Sequence, residues 1–429
     1  MSHDTIAAIA TAPGKSGVAV VRVSGPDAFA IAEKLTRKPV APGRISYRKI
    51  FRPQLFTLHS SLFTSPLDDS IVLSFKSPNS YTGEDVVEFQ CHGGSVTPRR
   101  VLEACFEAGA RLARRGEFTE RAFLNGKMDL SEAESVIDLI DAKTDAAADD
   151  ALAHLGGERK RRYRELYDQA VALSSKLEHS LDVDESDLTE EFFSRLNSSL
   201  FTLHSSLQKA IEQEKRSALL KDGALVVLAG PPNAGKSSLL NALLGESRAI
   251  VSDVPGTTRD SIEAWIDLGG IPVRLVDTAG LRGTSDAVES EGVRRAEELI
   301  AKADIVLGLD CDRGIRIHSK CDLGRADGIN VSAKTGEGLD ELRKLLIARL
   351  SDLEPRQNCR GLDLLTSAYK ELESLHHSTL HTPNSTLLPD PVLAANVVRS
   401  VSETLGKLIG ATYSEDLLDA LFSRFCVGK

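Results

Sequence analysis

The sequence predicts a multi-domain protein of mixed α/β and α+β class: an N-terminal α+β domain, a discontinuous helical domain and, inserted into the latter, a doubly wound α/β domain with a phosphate-binding loop. Three observations predict this. The chain has 429 residues, too many for one ordinary core. Glycine and proline become scarce between about 120 and 220, where Glu132, Val136, Leu139 and Ile140 recur at helical spacing. An apolar run, Leu225 to Ala229, passes straight into a glycine-rich loop and a helix-forming segment.

Taken in order, residues 1–120 mix short β-branched runs, Val18 to Val23 and Ile71 to Phe75, with turn signals at Pro13-Gly14, Ser24-Gly25-Pro26 and Gly93-Gly94, the signature of an α+β domain. Residues 121–219 read as long helices. Residues 220–355 alternate apolar strands and helices across glycine-rich junctions, as a doubly wound sheet does. Residues 356–429 are helical again, so the two helical stretches are expected to pack together around an insertion whose ends lie close. The octapeptide Leu-Phe-Thr-Leu-His-Ser-Ser-Leu occurs at 55–62 and again at 200–207 without extending into a longer period, which excludes a solenoid.

Hydrophobic content of 41% with 27% charged residues is that of a soluble globular protein, and no apolar run reaches the length of a bilayer span. No membrane insertion is expected. The start, Met-Ser-His-Asp-Thr, has no basic stretch followed by an apolar block, so the expected location is cytoplasmic. The 6 cysteines show no paired spacing and are expected to be reduced thiols. Cys311, His318 and Cys321 lack a nearby fourth ligand for zinc and overlap a motif with another use. A net charge of -10 argues against salt-driven nucleic-acid binding by the whole surface, which leaves the runs Lys160, Arg161, Arg162, Arg164 and Arg111, Arg114, Arg115 as solvated surface or local patches.

The strongest motif is Gly230-Pro231-Pro232-Asn233-Ala234-Gly235-Lys236-Ser237, followed by Ser238 and a helix. Glycines let backbone N–H groups converge on phosphates at a helix N-terminus, Lys236 neutralises the terminal phosphates, and Ser237 is the expected Mg2+ ligand. A second strand, Val273 to Val276, ends in Asp277-Thr278-Ala279-Gly280: the acid is placed for the metal's second shell, and Gly280 lets the backbone reach the terminal phosphate. Between them, Gly256-Thr257-Thr258-Arg259-Asp260 offers a threonine, Thr258, to close over the magnesium when a terminal phosphate is present.

Base choice rests on Ser319-Lys320-Cys321-Asp322 and Ser332-Ala333-Lys334. Guanine presents two donors on one edge and adenine does not, so an ionised Asp322 selects guanine, while the Ala333 N–H serves the guanine carbonyl. GTP and GDP are the expected ligands. GTPases usually have Asn where this chain has Ser319, which offers fewer hydrogen bonds. Between the strand Ile305 to Asp310 and this motif lie too few residues for a parallel crossover; either the sheet edge is truncated or a segment near Cys311 to Arg316 is missing, and the spacing favours the second. Leu281 follows the Asp-x-x-Gly motif where small GTPases commonly carry a water-orienting Gln, so the helper for hydrolysis must come from elsewhere. The acidic stretch Ser285 to Glu291 is the nearest source, unless it is simply a helix start made acidic by the dipole.

With these motifs in place, the chain resembles the bacterial tRNA modification GTPases of the MnmE (TrmE) family nearly end to end. The likeness is carried by Asp4 to Gly14, Gly17-Val18, Arg22 to Gly25, Tyr81 to Asp85, His92 to Gly94, Gly116 to Lys127, the block around Gly256 to Asp260, and the terminal Cys426-Val427-Gly428-Lys429. The resemblance implies a folate-type N-terminal domain that dimerises and binds 5-formyl-tetrahydrofolate, with Arg22, Glu88, Lys127 and Lys429 matching the contact positions. It implies an inserted GTPase domain that pairs across its nucleotide face when K+ is bound, the ion's ligands being matched by Asn233 and the backbone of Ser252, Val254 and Thr257. Glu289 matches the residue that orients the attacking water. It further implies a flavin-containing partner, MnmG, and modification of carbon 5 of the wobble uridine in certain tRNAs. Cys426 is either a chemical participant or a buried thiol, and the final Gly-Lys fits no prenylation preference. Two other classes compete: a ribosome-assembly or RNA-binding GTPase switch without one-carbon chemistry, and a scaffold that has lost hydrolysis.

Overall fold

The computed structural model describes residues 4–53, 65–182, 189–246, 249–250, 263–278, 286–355, 359–379, 391–409, 418 and 421–428; of residues 246, 249–250, 286–293 and 376–379 it describes the backbone alone. The chain forms two compact units, Met1–Ile137 with Thr412–Lys429, and Asp138–Ala411.

In the first unit, β1 (Ile6–Ile9), β2 (Val18–Ser24), β3 (Ile45–Ile50), β4 (Asp68–Phe75), β5 (Val86–His92) and β6 (Arg111–Leu112) form a sheet of order β3-β4-β5-β2-β1-β6. Its pairs are antiparallel except β1 with β6. Alternation sets its two faces. Ala7, Val21, Val23, Val72, Val87 and Phe89 point to one face, covered by α1 (Ala28–Thr36) and α2 (Thr97–Glu107). On the other, Ile6 and Ala8 pack with Phe118 of α3 (Glu117–Leu124). Toward the β3 edge the large apolar side chains of Ile45, Tyr47 and Ile71 remain exposed at 73%, 72% and 40%. The chain's last residues return here: Val427 bridges Arg115, and the Gly116 N–H donates to the Cys426 carbonyl.

α4 (Leu130–Asp141) leads into the second unit, where α5 (Asp145–Leu155), α6 (Glu158–Asp182), α7 (Glu190–Asp222), α11 (Arg360–Thr379) and α12 (Pro391–Leu408) pack as helices. Leu166, Ala170, Leu173 and Leu177 recur along one stripe of α6, and Leu196, Leu200, Leu203, Leu207 and Ala210 along one of α7. The second copy of the repeated octapeptide is therefore about two turns of heptad-like core, with its leucines at the buried positions; the copy at 55–62 lies outside the described residues.

Between α7 and α11 lies the inserted sheet of β7 (Ala224–Ala229), β8 (Ala249–Ile250), β9 (Glu263–Leu268), β10 (Ile271–Asp277), β11 (Ile305–Leu309), β12 (Ile315–Ser319) and β13 (Ile329–Val331), in the order β13-β12-β11-β7-β10-β9-β8. The central strands are parallel and β9 is antiparallel. β7 is buried at every position because both faces are covered. Val226 and Leu228 face the side holding Leu239 and Leu243 of α8 (Lys236–Glu246) and Leu342 and Leu346 of α10 (Leu339–Ser351). Leu225 and Val227 face Leu299 and Ile300 of α9 (Asp286–Lys302).

The short sheet edge takes an unusual form. β11 and β12 are parallel neighbours joined by residues 310–314 with no helix between them. The link turns at Asp310 (φ 52) and Gly314 (φ 65), and a Cβ on Gly314 would lie 2.2 Å from the Val306 carbonyl oxygen, so only glycine fits that close return.

Candidate functional site

The buried strand β7 delivers its last residue into the loop 230–235, whose backbone takes left-handed or extended positive φ at Gly230 (153), Asn233 (62) and Gly235 (84). Gly230 passes so close to β11 that a Cβ would meet the Leu309 carbonyl oxygen at 2.4 Å. The loop runs directly into the N-terminus of α8, where unpaired backbone N–H groups are suited to receive phosphates. Lys236, at the start of α8 and buried, arches over the loop and donates from Nζ to the carbonyls of Gly230 (2.9 Å) and Pro231 (2.8 Å).

Next to it, the Ser237 hydroxyl donates to Oδ2 of Asp277 at 2.5 Å. Asp277 is buried at the end of β10, in register with Leu228 of β7, which is how the sheet brings the two residues together across forty positions of sequence. Thr278 is buried too, and its hydroxyl donates to the Leu228 carbonyl at 2.9 Å, fastening the end of β10 to the strand that feeds the loop. A hydroxyl and a carboxylate so placed are hard oxygen donors suited to magnesium in the first and second shells. Among the described residues no group of three or more His, Cys, Asp and Glu could hold a metal ion by itself.

The segments 319–322 and 332–334 meet on the same side. Lys320 (φ 57) donates to the Asn233 carbonyl at 2.9 Å, joining β12's end to the phosphate loop. The Ser332 hydroxyl donates to Oδ1 of Asp322 at 2.8 Å and accepts from the Thr335 N–H, so the two segments hold one another. The Cys321 N–H donates to the Val331 carbonyl. Ala333 and Lys334 follow Ser332 in the turn that precedes α10, and Ser238 continues α8. Ser319 is buried and hydrogen-bonds to Asp310, a partner that motif reading did not single out because it lies in the irregular link.

Asp286 to Glu291 begin helix α9, so the backbone of Glu289 lies in its first turns; nothing is described of its side chain. Ser252, Val254, Thr257, Thr258, Ala279, Gly280 and Lys429 lie outside the described residues.

In the first unit the sheet pairs Arg22 with Glu88, and Nε meets Oε1 at 2.7 Å with both side chains mostly buried. The guanidinium lies 5.3 Å from the centre of the Tyr81 ring and 5.5 Å from that of Phe118. Arg22 Nη1 is 3.5 Å from the Gly428 carbonyl oxygen, which sets the C-terminal residues beside the ion pair. Lys127 donates to the Pro78 carbonyl at 3.0 Å, and its stem lies against Gly83. Burial raises the Tyr81 pKa more than its bond to Thr119 and the nearby Arg22 lower it, so the phenol stays a neutral hydrogen-bonding group. Sequence motifs contained Tyr81 and Phe118 but gave no reason to place either against Arg22. Behind them, burial of Glu117 would raise its pKa, yet hydrogen bonds from Arg111, the Arg114 backbone and Arg121 hold the carboxyl at about 2. Cys426 is exposed.

Comparison with known proteins gives a consistent result. The family model described as GTP-binding protein TrmE N-terminus matches residues 5–127, and the model described as MnmE helical domain matches residues 130–426. The tRNA modification GTPase MnmE of Bordetella petrii is 41% identical over 465 residues, covering 100% of this chain and 99% of its own. That of Symbiobacterium thermophilum is 38% identical over 473 residues and 100% of both chains; the aligned length exceeds this chain's 429, so the relative carries residues that are lacking here. Among solved structures, the G domain of the T. maritima FeoB iron transporter aligns with 30% of this chain and 99% of its own at 27% identity, with a TM-score of 0.23. No helix among the described residues is long and apolar enough to cross a membrane.

Proposed function

The chain belongs to the MnmE family of tRNA modification GTPases, and from that premise we propose that it hydrolyses GTP to GDP and phosphate, in a K+-dependent way, while modifying carbon 5 of the wobble uridine in certain tRNAs. The observation that supports the reading is the set of contacts that gathers the motif residues: Ser237 with Asp277, Lys320 with the Asn233 carbonyl of the phosphate loop, and Ser332 with Asp322. Ser237, with Asp277 behind it, and Thr258 would hold a magnesium ion, which would neutralise charge at the phosphates. Lys236 and the loop amides bind and orient the phosphates, while Glu289 holds the attacking water by accepting a hydrogen bond from it. Asn233, with the backbone of Ser252, Val254 and Thr257, is assigned to the potassium ion.

The first unit is assigned to 5-formyl-tetrahydrofolate, with Arg22, Glu88, Lys127 and Lys429 as contacts. The pairing of a mostly buried guanidinium and carboxylate beside the Tyr81 and Phe118 rings suits a flat heterocycle with donor and acceptor edges. The exposed apolar face of Ile45, Tyr47 and Ile71 supports a homodimer formed through this unit. A flavoprotein of the MnmG type completes the reaction, and tRNA is the macromolecular substrate. The family match over residues 5–127 weighs against a bare ribosome-assembly switch.

The test is GTP turnover by the full chain in potassium against sodium, with Glu289→Ala alongside. Turnover several-fold faster in potassium, and a variant slowed about 100-fold with GDP affinity within threefold of wild type, is the expected result. Equal rates in the two ions would remove the potassium assignment, and an unimpaired variant would remove that of Glu289.

A further inference from the structure

The guanine-reading turn in this chain begins with Ser319, which has one hydroxyl where an asparagine would offer an amide with two donors and an acceptor. What holds the turn in place is Asp310. It is the first residue after β11, in the left-handed region at φ 52, a conformation that Asp and Asn tolerate better than other side chains. Its own N–H donates to the Ile317 carbonyl at 2.9 Å, which pins its backbone to β12. From that position Oδ2 accepts from the Ser319 hydroxyl at 2.8 Å and Oδ1 from the Ser319 N–H at 3.3 Å. Oδ1 also lies 3.1 Å from Nδ1 of His318, whose Nε2 is 2.9 Å from the Gly324 carbonyl oxygen beyond the motif. One carboxylate therefore ties the residues entering the motif, and the His318 ring stands between that carboxylate and the Gly324 carbonyl, to either of which it can donate.

The tie leads to the nucleotide. Ser319 Oγ is 3.9 Å from the point where a Cβ on Gly235 would stand, and the next residue, Lys320, donates to the Asn233 carbonyl. Asp322 follows two residues later, held by Ser332. Asp310 itself reaches neither the loop nor the base-reading carboxylate; it acts through Ser319. The absence of a helical crossover makes this possible, because the direct 310–314 link keeps Asp310 against the end of β12.

Resting on the guanine-nucleotide reading above, we propose that Asp310 is a positioning residue for base recognition, bracing Ser319 and His318 so that Lys320 and Asp322 are held to the guanine in a motif that lacks its usual asparagine. The brace is a property of this chain's shortened sheet edge.

The experiment measures affinity of the full-length protein for GDP and for IDP, which lacks the 2-amino donor that Asp322 reads. Asp310→Ala removes the carboxylate, Asp310→Gly removes it without strain at a positive φ, and Asp310→Asn keeps polar partners for Ser319. The expected result is GDP binding about tenfold weaker in the Ala and Gly variants, a GDP-over-IDP preference reduced with it, and the Asn variant within threefold of wild type. Adding Ser319→Asn to Asp310→Ala should restore most of the loss, since the longer amide supplies its own anchoring. Wild-type binding of GDP with Ala and Gly variants within twofold of it overturns the assignment alone. So does a loss that leaves the GDP-over-IDP preference intact, the mark of general loosening. Wild-type protein that fails to bind GDP overturns the guanine reading, and this assignment with it.

Discussion

The Ser237 hydroxyl and the Asp277 carboxylate meet at 2.5 Å, one from the first turn of α8 and the other from the last position of β10. Asp277 is buried, and a buried carboxylate needs a donor facing it, which the Ser237 hydroxyl supplies. Asp277→Asn keeps the shape and removes the charge. GTP turnover in saturating magnesium should fall about 100-fold, with a higher magnesium requirement for what remains, as read by phosphate release. A variant with wild-type magnesium dependence would show that Asp277 serves packing alone.

At the other end of the site Asp322 accepts from Ser332, which fixes the carboxylate's orientation. An amide in its place offers one donor and one acceptor, matching xanthine, whose edge carries one N–H and one carbonyl, better than guanine with its two donors. Asp322→Asn should lower kcat/KM for GTP by about 100-fold and raise that for XTP by a comparable factor. Unchanged preference between the two would take base reading away from this residue.

Much of the candidate nucleotide site was legible because each part is a contiguous motif at a strand end: the loop before Lys236, Asp277 closing β10, and the segments at 319–322 and 332–334. The sheet then brings these ends to one edge, as parallel α/β topology dictates. What could not be read depends on pairings between distant residues. Asp310 bracing Ser319 requires knowing that β11 and β12 are adjacent and parallel without a crossover helix, a connection that spacing rules argue against. The placement of Arg22 between Glu88, Tyr81, Phe118 and the Gly428 carbonyl depends on strand register and on the chain's return to the first unit. The open face at Ile45, Tyr47 and Ile71 was hidden for the same reason, since alternation shows which residues share a face but not whether anything covers it.

His154, buried on α5, is held neutral: burial, then the charges of Arg159 and Arg162, lower its pKa to about 4. In the unfolded chain it titrates at an ordinary value near 6.5, so between those two values the unfolded state binds the extra proton and stability falls as pH drops. Relative to His154→Gln, the wild type should lose about 2 kcal/mol between pH 7 and pH 5. Urea unfolding followed at Trp265, the chain's single tryptophan and part of the same unit, reads this directly. Parallel pH profiles for the two proteins would mean that His154 is not kept neutral by the fold.

Gly428 is held where no side chain fits: its φ is 106, and a Cβ would lie 2.3 Å from the Ile9 carbonyl oxygen. Its own carbonyl oxygen lies 3.5 Å from Arg22 Nη1, so an alanine there must displace the terminal residues from the Arg22–Glu88 pair, at a cost of about 1–3 kcal/mol for the strained backbone alone. Gly428→Ala should therefore weaken binding of 5-formyl-tetrahydrofolate about tenfold or more, by calorimetry, while GTP turnover, which belongs to the other unit, stays within twofold. Asymmetry between the two readouts is what locates the folate contact at the chain's end; equal losses would indicate general destabilisation, and full folate affinity would show that the terminal segment contributes nothing to that site.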